Sequence, residues 1–280
     1  MPTLEAVRAY RMDFADNKAK EEAKQQARAH VNTLRHAIDF ATMEIPPIDW
    51  FVPGLITPGL TLIAGQSGAG KSWLLLQLGL CVSAGGVFIG STRCKKANVL
   101  YLALEDHDWR IKRRLLKLGV TLTRDLYIDT ANYVKPQNIN AVLDEAPSVE
   151  MVIIDTWGRY IANEGIDGND YIANTKAAGE LHEMAKKRNL AVVLCTHTRK
   201  GAKAEDGIDG VMGSKALAAV SDTILMLFRP MQAYDGKLYV TGRDIEERTI
   251  ELERTENWLW FDKNAEAQPT PLEEFNQYSF

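Results

Sequence analysis

Residues 65 to 72 read Gly-Gln-Ser-Gly-Ala-Gly-Lys-Ser and stand between two apolar runs, Leu60 to Ala64 and Trp73 to Val82. A strand, a glycine-rich turn and a helix in that order fit the pattern G-x-x-x-x-G-K-[ST], which commits the chain to an α/β fold. Gly65, Gly68 and Gly70 let the backbone curl so that its N–H groups point inward, and the helix starting near Lys71 aims the positive end of its dipole at the same spot. That geometry suits phosphate groups. The chain is therefore expected to bind ATP through Gly65, Gln66, Ser67, Gly68, Ala69, Gly70, Lys71 and Ser72. Lys71 would reach the β and γ phosphates, and the Ser72 hydroxyl would hold Mg²⁺. A glycine turn without a ligand is the competing explanation, and eight matching positions between strand and helix weigh against it.

At 280 residues the chain can form one large α/β domain with an appendage. No apolar run is long enough to span a membrane and the charged, Ala-rich start is unlike a signal peptide, so a cytoplasmic location is expected. Cys81, Cys94 and Cys195 lack metal-ligand spacing and are expected to be reduced and structural. A net charge of −4 excludes a surface coated in positive charge, while leaving room for a local basic channel.

Three segments follow from composition. Residues 1–45 are rich in Ala, Lys, Glu, Gln and Arg and form a helical arm, either one long helix or two. Pro46, Pro47 and Pro53 end that block, Ile45 to Gly59 is an extended lead-in, and the core domain covers 46–262, leaving 263–280 as a tail. Within the core, strands are expected at Leu60 to Ala64, Asn98 to Leu104, Leu126 to Ile128, Met151 to Asp155, Ala191 to Thr196 and Thr223 to Phe228. Helical patterns lie between them, so the sheet is mainly parallel and buried on both faces. Three later runs, near Leu238, Thr249 and Trp258, read as antiparallel edge strands, with Asp235-Gly236 as a tight turn.

Four apolar residues ending in an acid, Met151-Val152-Ile153-Ile154-Asp155, are the pattern of a strand carrying a magnesium-organising carboxylate at its carboxyl end. Asp155 is the expected second metal residue beside Ser72; a turn-forming Asp is the alternative. Thr156 follows where an adjoining general base would need Glu, so the base must come from elsewhere. Glu105, at the end of Tyr101 to Leu104, is the candidate for polarising the attacking water, with Asp106 as its competitor for that role or as a helix cap. Lys112, Arg113 and Arg114 read as a solvated helical face.

On these residues the chain resembles the RecA-like ATPases, and within them the hexameric replicative helicases of the RepA type and related phage and plasmid ATPases. The matching residues are Gly65 to Ser72, Glu105-Asp106, Val152 to Asp155, Thr196-His197-Thr198 and Gly213-Ser214-Lys215-Ala216-Leu217, over about residues 46 to 262. The resemblance implies a RecA-like core of twisted parallel sheet flanked by helices, a ring or filament of subunits, most simply a hexamer, ATP between neighbours, and single-stranded DNA held by central loops. It further implies that His197 senses the γ phosphate, against the alternative of an ordinary surface histidine. Arg243 stands where the family has an arginine acting on the neighbour's nucleotide, with Lys237 and Arg248 in reserve and a local salt bridge to Asp244 or Glu246 as the alternative. The segment Thr198 to Gly210 and the stretch Gly158 to Asp170 are the candidate DNA loops, or else solvated loops.

Three functions stay open on these residues: an ATP-driven DNA helicase, an ATPase that loads or remodels recombination or replication proteins, and a nucleotide-switched assembly module. The helical arm is the expected docking element for a neighbouring subunit or a replication or recombination protein.

Overall fold

The computed structural model describes residues 18 to 265 apart from 19, 30, 32, 169, 199–214 and 231. Chain contacts divide it into two units, Met1–Pro47 and Ile48–Phe280. In the first, residues 20–29 are helical (α1) and Ala37–Ala41 form a short helix (α2), exposed throughout. With alanine as its main apolar content, α1 has no stripe wide enough to build a core.

The second unit is built on a nine-stranded sheet. Its strands are β1 (Gly59–Gly65), β4 (Asn98–Ala103), β5 (Leu126–Asp129), β6 (Val149–Asp155), β7 (Ala191–His197), β8 (Thr223–Phe228), β9 (Asp235–Gly242), β10 (Arg248–Arg254) and β11 (Trp260–Asp262). Two short strands, β2 (Val87–Phe88) and β3 (Thr92–Arg93), pair separately. The spatial order is β11-β10-β9-β8-β1-β7-β6-β4-β5. From β8 to β5 every pairing is parallel, and β9, β10 and β11 continue the sheet antiparallel.

Alternation along the central strands divides the core in two. Met151, Ile153, Val193 and Cys195 join the cluster under α3 (Lys71–Ala84) and α4 (Asp108–Leu118). Val152, Ile154, Val192 and Leu194 join the opposite cluster, with α5 (Ile139–Glu145), α6 (Trp157–Ala162), α7 (Tyr171–Arg188) and α8 (Lys215–Val220). Both faces are buried, which is why these strands are apolar at every position rather than at every second one. Helix α3 stops at Gly85, which takes the left-handed conformation at φ +65°. Asp170 caps α7, its side chain accepting from Ala173 N at 2.9 Å.

Three local expectations differ. Residues 51–56 turn tightly instead of running extended: Val52 bridges Ile56, and Phe51, Val52, Leu55 and Ile56 are all buried. Asp235-Gly236 lies inside β9, where Gly236 packs against Trp260 and Phe228 O. The reversal falls earlier in the chain, with Gln232 at φ +64°. Gly158 to Asp170 is not one loop: α6 occupies its start and buries Trp157, Tyr160 and Ile161, which removes Tyr160 from any surface role. Among the described residues no helix is long and apolar enough to cross a membrane.

Candidate active site

Parallel strands bring their carboxyl ends to one edge of the sheet, and the chemistry-bearing residues of five neighbouring strands collect there. Gly65 ends β1, His197 ends β7, Asp155 ends β6, Glu105 follows β4 by two residues, and Arg229 follows β8 directly. The loop from β1 to α3 has Gly68 at φ +77° and Gly70 at φ +107°, backbone that only glycine adopts without strain. Gly65 answers a different demand. A Cβ there would stand 2.5 Å from Leu227 O in β8, so the strand pairing itself requires glycine.

Lys71 is 5% exposed. Its Nζ donates to Gly65 O at 2.7 Å and Gln66 O at 2.9 Å, and lies 3.2 Å from His197 Nδ1. Burial lowers its pKa, while Cys195, Asp155 and Glu105 nearby act in the other direction. Burial and the Lys71 charge together lower the pKa of His197. Both shifts disfavour two positive charges on this pair, so the close Lys71–His197 contact is met with the imidazole drawn toward its neutral form.

Asp155 is 4% exposed, and burial raises its carboxyl above the usual range. The Ser72 hydroxyl, the Tyr101 hydroxyl and the Cys195 thiol oppose that shift from close by. Tyr101 donates to Oδ2 at 2.9 Å, whereas Oδ1 is buried without a hydrogen-bonding partner. One unmatched carboxylate oxygen beside a serine hydroxyl is what a magnesium ion needs from the protein, because Mg²⁺ takes its other ligands from phosphate and water. Among the described residues there is no cluster of three or more acids, histidines or cysteines that would cage a metal alone. The residues present fit the ion.

The peptide between Asp155 and Thr156 is cis. Thr156 Oγ1 donates to Glu105 Oε1 at 2.7 Å, so the exposed Glu105 side chain is held toward the end of β6. Asp106 is engaged otherwise: it is buried, and Arg110 Nη1 at 3.0 Å and Arg114 each pair with one of its oxygens. The two carboxylates that compete in the sequence are thus physically distinct, one free to meet solvent and the other neutralised by two guanidinium groups.

Arg243 lies elsewhere. It follows β9, whose Gly242 pairs with Thr223 at the start of β8, the edge of the sheet opposite the phosphate loop. Its side chain meets Asp222 Oδ1 at 3.4 Å and Ala219 O at 3.2 Å, not Asp244 or Glu246. Lys237 pairs with Glu251 at 2.8 Å, and Arg248 donates to Gly54 O at 2.7 Å. The segment 199–210 and the Gly213-Ser214 part of the last motif lie outside the described residues, as do residues 1–17 of the arm and 266–280 of the tail.

Tyr101, Thr156, Cys195, Arg229 and Trp260 belong to the site and carry no motif. Tyr101 alone left a trace in sequence, a polar hydroxyl in an otherwise apolar strand.

A mainly parallel sheet with this loop, this lysine and this strand-end carboxylate at one edge defines a RecA-like P-loop NTPase. Residues 18–203 match the AAA domain family AAA_25, and the chain belongs to that family. Among curated proteins it is similar to the DNA repair protein RadA of Rickettsia bellii (strain RML369-C), 26% identical over 201 residues covering 68% of this chain and 40% of that one. RadA of Streptococcus pneumoniae (strain ATCC BAA-255 / R6) is 28% identical over 212 residues, 73% of this chain and 44% of that one. The chain thus spans less than half the length of these relatives. Among solved structures it resembles the RadB recombinase, with TM-score 0.53 and 19% identity over 75% of this chain and 92% of that one. A second solved structure, an ATPase domain, gives TM-score 0.58 and 14% identity over 73% and 84%.

Proposed function

We propose that this protein hydrolyses ATP and acts on single-stranded DNA in replication or recombination, as an oligomeric RepA-like helicase working in a ring, most simply a hexamer. The observation that carries the reading is that Lys71, at the start of α3, meets Asp155, Glu105 and His197 from the carboxyl ends of β6, β4 and β7. Lys71 binds the β and γ phosphates, and the amides of Gly65 to Gly70 cradle them. Ser72 and Asp155 would hold Mg²⁺, which when bound would supply positive charge to the phosphate oxygens. Glu105, steadied by Thr156, orients the attacking water. His197, touching Lys71, reports the γ phosphate to the segment that follows β7. Arg243 acts on the nucleotide of an adjacent copy. The helical arm, residues 1–45, docks on a neighbour or on a replication or recombination protein.

A second reading, an ATPase that loads or remodels recombination proteins, is favoured by the similarity to RadA and to the RadB recombinase. Both readings use the same hydrolytic residues and part only at strand separation. The first test is steady-state ATP hydrolysis with and without single-stranded DNA, with Lys71→Ala as the contamination control. DNA-stimulated turnover is expected, followed by unwinding of a forked duplex. Stimulation without unwinding selects the loader, and turnover indifferent to DNA removes the helicase and points to a protein-remodelling or switch role. Glu105→Gln should keep nucleotide affinity and lose about a hundredfold or more in turnover, the usual scale for a general base.

A further inference from the structure

Every amide that turns its N–H inward toward a phosphate turns its carbonyl outward, and those carbonyls need donors of their own. In this chain Lys71 serves the carbonyls of Gly65 and Gln66, and a second side chain serves the next two along the loop. Arg229 donates Nε to Ala69 O at 3.0 Å and Nη2 to Gly68 O, two successive carbonyls inside the phosphate loop. Its Nη1 donates to Ala233 O at 2.8 Å, in the connection between β8 and β9. Among the described residues, the charged group close enough to perturb Arg229 is another arginine, Arg254. Its forked donors therefore serve main-chain oxygens and no carboxylate among the described residues.

The far end of this contact is itself braced. Arg254 N donates to Tyr234 O at 3.0 Å, next to Ala233. The Arg254 guanidinium, in a side chain only 9% exposed, lies 5.1 Å from the centre of the Tyr234 ring and 3.8 Å from that of Trp258. Trp258 stacks on Trp73 at 4.8 Å, and Trp73 is the third residue of α3, the helix that opens at the phosphates. Trp260 completes the brace: it exchanges two hydrogen bonds with Gln77 of α3, at 2.8 and 2.9 Å, and its ring faces Gly70. The antiparallel edge thus grips the loop through Arg229 and the helix behind it through Trp258 and Trp260.

We propose that Arg229 is a positioning residue for the nucleotide: by holding the carbonyls of Gly68 and of Ala69, whose own N–H is tied to Gln66 O at 3.1 Å, it fixes the curl of the phosphate loop, so the connection from β8 to the antiparallel strands sets nucleotide affinity. The inference rests on the nucleotide reading of the phosphate loop. The planar fork reaches three carbonyls through three nitrogens in fixed directions, Ala69 O and Gly68 O in the loop and Ala233 O beyond it, a reach that the single nitrogen of a lysine does not reproduce.

The test is titration of the full chain with a fluorescent ATP analogue and Mg²⁺, beside thermal denaturation without nucleotide, for wild type, Arg229→Ala and Arg229→Lys. Arg229→Ala is expected to raise Kd about tenfold or more, the scale of losing hydrogen bonds to a charged donor. Arg229→Lys, keeping charge without the fork, should fall between. At saturating ATP, kcat should fall by less than Kd rises, because the loop binds ground and transition states alike. A purely structural role would lower Tm and leave Kd, read well below Tm, within about twofold of wild type; that result overturns the proposal. If Arg229→Ala does not fold, Arg229→Lys decides by the same twofold criterion. Failure of the wild-type chain to bind the analogue would overturn the nucleotide reading together with this one, whereas tight wild-type binding matched by both variants overturns this one alone.

Discussion

A buried carboxylate costs stability unless both its oxygens are matched, and Asp155 is matched at Oδ2 alone. Its raised pKa expresses that cost: the folded chain takes up a proton more readily than the unfolded one, so stability falls as pH rises through the raised pKa. The penalty is fully present above the raised pKa and is relieved as pH drops through that value. Asp155→Asn should therefore melt at or above the wild-type temperature at neutral pH, with the advantage shrinking toward about pH 4, where the carboxyl is protonated anyway. The same variant should lose Mg²⁺-dependent hydrolysis, the ordinary trade between a functional site and stability. Attraction between Asp155 and the buried Lys71 opposes the stability gain. Melting curves of Asp155→Asn lying several degrees below wild type at neutral pH would show that this attraction wins.

The β1–loop–α3 element imposes two kinds of demand on its glycines, and they separate experimentally. Gly68 needs only φ +77°, and a Cβ there meets nothing within 4 Å, so Gly68→Ala should cost about 1 kcal/mol of backbone strain. At Gly65 the new Cβ would strike Leu227 O, main chain in a paired strand that has no side-chain freedom to give way. Gly65→Ala should cost about 1–3 kcal/mol and push β8 away from β1. Urea denaturation midpoints rank the two, and equal losses would refute the clash. This element was the most legible part of the sequence, because eight local residues specify loop, helix start and ligand chemistry together. The central strands were legible for a similar reason, since apolar runs such as Met151 to Ile154 have one reading when helices flank them. Helix α6 escaped although Trp157, Tyr160 and Ile161 carry helical spacing, because six residues between turns show fewer than two periods. Asp235-Gly236 misled because a turn dipeptide also serves where Trp260 needs a strand without a side chain. Tyr101, Thr156 and Arg229 meet partners 54, 51 and 160 residues away, and no local pattern encodes such contacts.

At the scale of the whole molecule, one direction separates the two chemistries: nucleotide chemistry sits at the carboxyl edge of the parallel strands and Arg243 at the amino edge. From Thr223, level with Gly242, to Leu227, level with Gly65, β8 advances four residues, or roughly 13 Å. Arg243 is thus too far along the sheet to meet its own nucleotide, and any action on a γ phosphate must cross to another copy of the chain. Within its own chain the arginine is dispensable. Asp222 keeps Leu60 N at 2.9 Å and His182 Nε2 at 2.9 Å without it, and an exposed pair of this kind contributes about 0–1 kcal/mol. Arg243→Ala should accordingly fold with nearly unchanged Tm, bind ATP and turn over slowly. Mixed with Lys71→Ala, which carries an intact arginine but a disabled loop, it should regain activity at interfaces where a competent loop faces a competent arginine. Hydrolysis by the mixture above the sum of the two separate variants, rising as subunits exchange, is the expected result. A strictly additive mixture would reduce Arg243 to the partner of Asp222 and move the search for the trans-acting charge to other residues of the same amino edge.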